Sequence, residues 1–261
     1  MTEMIPLIVF TVFGGIAAGA VLCSAFVDLR QPEGAQEIPF VKKPVFFVVV
    51  CLAALVVGLL GTLLHLGQPL RFLNGLSNPA SMISQEGYWS IALGLVLVVA
   101  VAMGVKKGVP RFLTVLGGIV ALGMMIVTSF AYYFAAGIPV WNGGATLPVF
   151  IVGDIAMGAA LCALLIEDRQ TLFLNVSACL AAVSLVAALA FQAQVASVHA
   201  AFDFMPWTAV SMIVAGVLPI AAWAAQLKGF LTPRIASIAV LVLVVLGTAI
   251  LRIGFFAVGM A

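Results

Sequence analysis

Eight stretches of roughly twenty apolar residues, each long enough to cross a bilayer as a helix, fill this chain almost from end to end. They run at about 5–27, 44–66, 87–105, 112–134, 147–166, 171–199, 207–227 and 235–257. Pro, Gly and charge break them apart, as in Gln31-Pro32-Glu33-Gly34, Lys106-Lys107-Gly108-Val109-Pro110-Arg111 and Lys228-Gly229-Phe230-Leu231-Thr232-Pro233-Arg234. Only 8% of the 261 residues are charged and 65% are hydrophobic, whereas a soluble domain carries about 25% charge. No soluble fold hides that much apolar surface, so the solvent is lipid. Lipid leaves two ways to satisfy a backbone, the helix and the closed barrel. Barrel strands are alternating segments of about ten residues, and the chain has none. The expectation is an all-α polytopic transmembrane bundle of eight helices, one integral membrane domain over residues 1–261.

Other classes fall away quickly. A net charge of +2, without a basic stripe interleaved with aromatics, gives no reason to expect a nucleic-acid partner. Cys23, Cys51, Cys162 and Cys179 each sit inside an apolar run and form no CxxC pair, so they read as small packing residues. No metal site of its own, iron–sulfur or zinc, is expected from them, and metal-centred electron transfer would fall to partners. The start Met1-Thr2-Glu3-Met4-Ile5 lacks a basic stretch before its apolar run and reads as a retained first span.

Lys and Arg orient the spans. Arg30, Lys42, Lys43, Lys106, Lys107, Arg111, Arg169, Lys228 and Arg234 follow the odd-numbered spans, which is nine of the eleven. Arg71 and Arg252 are left for the other side. The positive-inside rule then places the N- and C-termini outside the cytoplasm, with a bacterial cytoplasmic (inner) membrane as the natural setting. Trp89, Trp141 and Trp207 fall at the outer boundary, as an interfacial belt would.

The ionisable residues of the spans gather on that outer side, and such residues are costly enough in lipid to be functional candidates. His65 ends the second span, Glu86 precedes the third, and Tyr132 and Tyr133 close the fourth. Asp154 lies seven residues into the fifth, roughly 10 Å deep. His199 ends the sixth and Arg252 lies near the outer end of the eighth. Histidine titrates near neutrality and a partly buried Glu can be tuned there. A His/Glu/Arg set beside an apolar pocket suits oxidation of a lipophilic quinol, which gives up two electrons and two protons. Each residue also has a plainer role. Glu86 could complement a helix N-terminus, His65 and His199 could be helix-end caps, and Arg71 and Arg252 could hold lipid head groups or a partner's acidic surface. Asp154 could be a structural partner for Arg252, while Gln192 and Gln194 suit interhelical hydrogen bonds. Two rival functions stay open: a haem b anchor ligated by the two histidines, and a secondary transporter, although transporters gather polar groups near the midplane.

The segment His65-Leu66-Gly67-Gln68-Pro69-Leu70-Arg71-Phe72-Leu73-Asn74 resembles the HLGxPxRxxN signature of the dimethyl sulfoxide reductase anchor subunit family. Ile8-Val9-Phe10-Thr11-Val12-Phe13-Gly14, Ser84-Gln85-Glu86, the sixth-span ending at His199 and the close Arg252-Ile253-Gly254-Phe255-Phe256 extend the likeness along the chain. The resemblance implies an eight-helix anchor that oxidises menaquinol without a haem. At its outer face it would hold an iron–sulfur subunit with four clusters and a molybdopterin catalytic subunit. The family's quinol-site histidine maps to His65 and its essential carboxylate to Glu86; Arg71 and Asn74 match motif positions. The candidate quinol site is therefore His65, Arg71, Asn74, Glu86, Tyr133, Asp154, His199 and Arg252, with His65 and Glu86 handling protons. The sparsely charged outer loops 67–86, 135–146 and 200–206, with Trp141 and Phe202, are the expected docking face, since interface cores favour aromatics and deplete charge.

Overall fold

The computed structural model describes residues 4–29, 44–65, 76–199 and 201–261, without the side chains of Leu64, His65 and Lys107. All the described regular structure is helical. Eight helices are long and apolar enough to cross a membrane: α1 (Ile5–Leu29), α2 (Pro44–His65), α3 (Met82–Lys107), α4 (Arg111–Tyr133), α5 (Thr146–Leu165), α6 (Gln170–Val198), α7 (Met205–Leu227) and α8 (Pro233–Gly259). Two of them carry a wider π turn, α1 at Phe10–Gly14 and α7 at Met212–Val217.

The breaks do what their residues allow. Gly108 and Gly229 adopt φ values of 82° and 78° just past α3 and α7, the left-handed conformation that ends a helix cheaply only at glycine. Thr232 caps α8 by accepting from the Ile235 N–H at 3.3 Å, ahead of a proline in the first turn. Helix ends match the expected spans closely except at α3. That helix starts at Met82, five residues before the expected 87, because Ser84, Gln85 and Glu86 dilute the apolar run without breaking the helix.

The helices form two groups of four. In the first, α1 packs on α2 and α4, and α3 on α2 and α4; in the second, α5 packs on α6 and α8, and α7 on α6 and α8. The seam between the groups is mainly α1 against α5, with α4 also touching α5. Glycines let this seam close backbone to backbone. A Cβ on Gly158 would overlap Gly19 and Ala20, and one on Gly19 would overlap the backbone of Asp154. Without water to drive helices together, such close packing is a main source of association in lipid. Cys162 and Cys23 donate weakly across the seam, to the Ala20 carbonyl at 3.4 Å and the Ile155 carbonyl at 3.9 Å. They and Cys51 are buried, while Cys179 is exposed on α6. Large apolar side chains such as Ile119, Val186 and Leu246 point outward, as a lipid-facing surface requires.

The tryptophan belt needs correction. Trp141 is only 6% exposed. Its Nε1–H donates to the Phe255 carbonyl at 2.9 Å and its ring stacks on Phe255 at 5.0 Å, so the indole is spent inside the bundle. Trp89 and Trp207 are half-buried against the backbones of α4 and α8, over Gly123 and Gly254.

Candidate functional site

Successive spans alternate in direction, so the end of α2, the start of α3 and the end of α4 share one end of the bundle with the 135–146 loop. Glu86 occupies the second turn of α3, whose first turn holds no acidic residue. A carboxylate favours the helix N-terminus within the first turn only, so dipole complementation does not account for it. Oε1 of Glu86 is buried without a hydrogen-bond partner among the described residues. Ser90 follows one turn later on the same face, and its hydroxyl is also buried without a partner. The Thr128 hydroxyl on α4 is the group within reach of the Glu86 carboxyl, yet it makes no well-formed hydrogen bond to it or to any other described residue. Thr62, one turn before the end of α2, is the fourth such group. An unmade hydrogen bond on a buried polar group costs about 1–3 kcal/mol. Four such groups lie toward the same end of three adjacent helices, and none has a hydrogen-bond partner among the described residues.

Deeper in, α5 and α8 bring Asp154 and Arg252 together. Arg252 Nη2 donates to Asp154 Oδ1 at 3.1 Å and to the Phe150 carbonyl at 3.3 Å, and the guanidinium lies 3.3 Å from the Phe150 ring centre. Both side chains are buried, with exposures of 0% and 4%. Pairing with each other and the attraction of the ring face for the guanidinium offset the cost of burying both groups. Arg252 keeps Nε and Nη1 without partners among the described residues. Its burial overturns the expectation that it holds a lipid head group or a partner's acidic surface. Asp154 takes the structural role set out for it beside Arg252.

Tyr132, which stands beside the named candidate Tyr133, is the residue that the candidate set omits. Its ring stacks on Phe150 at 4.8 Å and meets Trp141, Phe255 and Phe256 edge-on. Phe150 carries both the Tyr132 ring and the Arg252 guanidinium. Tyr133 points elsewhere, into a group with Phe130 and Phe134. His199, at the end of α6, is partly exposed beside Phe202, ring centres 6.1 Å apart. Asp154 and Arg252 are thus linked to Tyr132 through Phe150, and Glu86 lies within reach of Thr128, one turn before Tyr132 on α4, while Tyr133 and His199 make their ring contacts elsewhere. The side chain of His65, and Arg71 and Asn74, lie outside the described residues. A spacing signal for the missed groups existed: Glu86 and Ser90, and Thr128 and Tyr132, are i,i+4 pairs on single helix faces.

The neighbouring loop is held rigidly. Gln194 of α6 donates to the Val140 carbonyl at 2.8 Å and accepts from the Ala145 N–H at 3.0 Å. The Thr208 hydroxyl donates to Gln192 at 2.8 Å. Gln192 thus joins α6 to α7, and Gln194, which also donates to the Thr146 hydroxyl at 3.3 Å, joins α6 to the start of α5, the interhelical role expected of both. Trp141 and Phe202, named as docking aromatics, are buried and half-buried. What the loop shows outward is Phe134, Gly137, Pro139 and Asn142, still free of charge. At the opposite end a cavity of about 450 Å³ lies among Leu22, Phe26, Leu172, Phe173 and Arg169. It has room for an apolar chain, and among the described residues its wall holds no carboxylate or histidine. Among the described residues no three His, Cys, Asp or Glu side chains converge as a metal site would require.

Comparison with known proteins agrees with the likeness read from the motifs. Residues 1–258 match the family described as DMSO reductase anchor subunit (DmsC). The protein is also similar to one of the chains of the anaerobic dimethyl sulfoxide reductase of Haemophilus influenzae, 34% identical over 182 residues. That stretch covers 64% of the sequence and 60% of the relative, so the match spans less than two thirds of either. With eight helices long and apolar enough to cross a membrane and a family match over nearly its whole length, this protein belongs to the DMSO reductase anchor subunit (DmsC) family.

Proposed function

We propose that this chain oxidises menaquinol in the bacterial inner membrane and anchors a respiratory dimethyl sulfoxide reductase. The observation that carries the reading is a set of buried groups, Thr62, Glu86, Ser90 and Thr128, that lie toward one end of α2, α3 and α4 and have no hydrogen-bond partner among the described residues. A quinol head group offers two hydroxyls that can donate to a carboxylate and accept from serine or threonine. Its isoprenoid tail suits a pocket reached through lipid. His65 accepts the proton of one quinol hydroxyl and Glu86 takes or relays the other toward the outer aqueous phase, roles for which a histidine and a partly buried carboxyl are chemically suited. Arg71 and Asn74, from the same motif, help to form the pocket. The structure supports a lesser part for Arg252, whose Nη2 is committed to Asp154. Tyr133 and His199 lie further from the chemistry.

Electrons leave to a four-cluster iron–sulfur subunit and from there to a molybdopterin subunit that reduces the acceptor. The iron–sulfur subunit docks on the sparsely charged surface of the 76–81, 135–146 and 201–206 loops, and the molybdopterin subunit with it at the outer face, with the two termini on that same side. Replacing His65 by Arg or Glu86 by Lys abolishes menaquinol-driven reduction, while dye-driven reduction by the assembled catalytic subunits persists. Normal turnover with quinol analogues in both variants sinks the site. Orientation has its own check: a C-terminal phosphatase fusion is active and a C-terminal green fluorescent protein fusion is dark. Crosslinks from the iron–sulfur subunit that fall only on 106–111 contradict the docking face.

A further inference from the structure

The π turn of α1 leaves a gap beside the polar cluster. A cavity of about 10 Å³ lies among Thr11, Gly14, Gly15, Met124, Thr128 and Asp154, the space that one water molecule needs. π turns arise from one extra residue in a helix and often stand at functional sites. The walls supply the two to four polar partners that a buried water requires. Thr128 brings a hydroxyl with no hydrogen bond among the described residues. Asp154 brings a second carboxylate oxygen beyond the one bound to Arg252. Thr11 brings a hydroxyl whose bond to the Ile8 carbonyl is long, at 3.3 Å. The same Thr128 is within reach of Glu86.

We propose that this cavity is an internal water site and that through it Thr128 ties Glu86 to the Asp154–Arg252 pair. The proposal rests on Glu86 being the quinol-site carboxylate. The polarity of the hydrogen-bonded line is determined by its ends, because both carboxylates accept. The Thr128 hydroxyl donates to Glu86 and accepts from the water. The water donates to Thr128 and to Asp154 and accepts from Thr11. No proton needs to travel the whole line. When Glu86 takes a quinol proton, the Thr128 hydroxyl reverses and donates to the water instead. Thr128 and Asp154 are thus positioning residues that hold the Glu86 carboxyl in place and register its charge.

Hydroxyl-radical footprinting of the assembled complex tests the water site without reference to turnover. Met124 and Met125 line the cavity, and they are as buried as Met157 of α5, which does not, with exposures of 3%, 1% and 0%. A resident water makes oxidation of Met124 and Met125 several-fold faster than that of Met157. Thr128→Val removes that excess and slows menaquinol-driven reduction about tenfold, the rate equivalent of one hydrogen bond to a charged group, and Thr128→Ser restores both. Equal, slow oxidation of all three methionines in the parent overturns the water site, whatever Glu86 does. Fast labelling with an unslowed Thr128→Val variant overturns the tie to Glu86. A Glu86→Gln variant that reduces at the parent rate overturns the reading of Glu86 itself, and the footprint tells that failure from the first.

Discussion

The two four-helix groups differ in where the hydrogen bonds of their buried polar residues go. In α5–α8 most are matched: Gln192 to Thr208, Gln194 to the 140–145 backbone, Ser211 to the Gly247 carbonyl at 3.0 Å, Ser237 to the Ala163 carbonyl at 3.1 Å, and Asp154 to Arg252. The exceptions are Ser177, one oxygen of Gln226 and the spare nitrogens of Arg252. In α1–α4, Ser24 and Ser129 bond only to carbonyls of their own helices, and Thr62, Glu86, Ser90 and Thr128 bond to no described residue. Polar side chains in a membrane protein either join helices or serve a ligand. The second group uses most of them to hold the fold, whereas the first leaves a carboxyl oxygen and three hydroxyls without a partner among the described residues, as the proposed quinol site would require. Substitutions should therefore cost stability in one group and turnover in the other.

The largest expected effect is at the buried ion pair. Arg252→Leu or Asp154→Leu alone leaves a lone buried charge and destabilises by about 3–5 kcal/mol, whereas Asp154→Leu combined with Arg252→Met recovers most of it. Unfolding of the purified anchor in mixed micelles measures this, and a double variant no better than the singles breaks the picture of a matched pair. Next comes the seam. Gly158→Ala places a methyl group on the Gly19 backbone and costs about 1–3 kcal/mol as overpacking. An unchanged midpoint shows that α1 and α5 slide apart freely and that the seam is not what joins the groups. Gln194→Leu strips the Val140 carbonyl and the Ala145 N–H of their partner and costs about 1–3 kcal/mol. Its readout is faster proteolysis within 135–146.

Much of this was legible from residues. Lipid as solvent forces helices, so all eight spans could be read with ends close to those observed, α3 apart. There the polar run Ser84-Gln85-Glu86 hid the helix start that changes what Glu86 does. Glu86, Asp154 and Arg252 stood out because charge is rare in such a chain, and the Asp154–Arg252 pairing was one of the plain alternatives. The four unpartnered groups could not be found this way. Ser and Thr are ordinary in membrane helices because they can bond to their own backbone, and only packing reveals which of them do. The π turn at Phe10–Gly14 has no marker in an apolar run either, and Trp141 reads as interfacial until Phe255 is seen to take its N–H.

The smallest expected change in stability makes the sharpest test of the contrast. Ser90→Ala and Thr62→Val remove hydroxyls that bond to no described residue, so folding loses no described interaction. Stability stays within about 0.5 kcal/mol of the parent, as for substitutions that break no contact, and a modest gain is consistent because a buried unpaired hydroxyl is itself a cost. If those hydroxyls serve the quinol head group, each removal forfeits a hydrogen bond worth about 0.5–1.5 kcal/mol, a roughly twofold to tenfold rise in KM for menaquinol. The same substitution logic applied to Ser211 or Ser237 in the second group predicts the reverse, a loss of stability with KM unchanged. Stability losses at Ser90 and Thr62 that equal those at Ser211 and Ser237, with KM unmoved, erase the distinction between the groups. A rise in KM without a stability loss confines the ligand-facing end of the bundle to α2, α3 and α4.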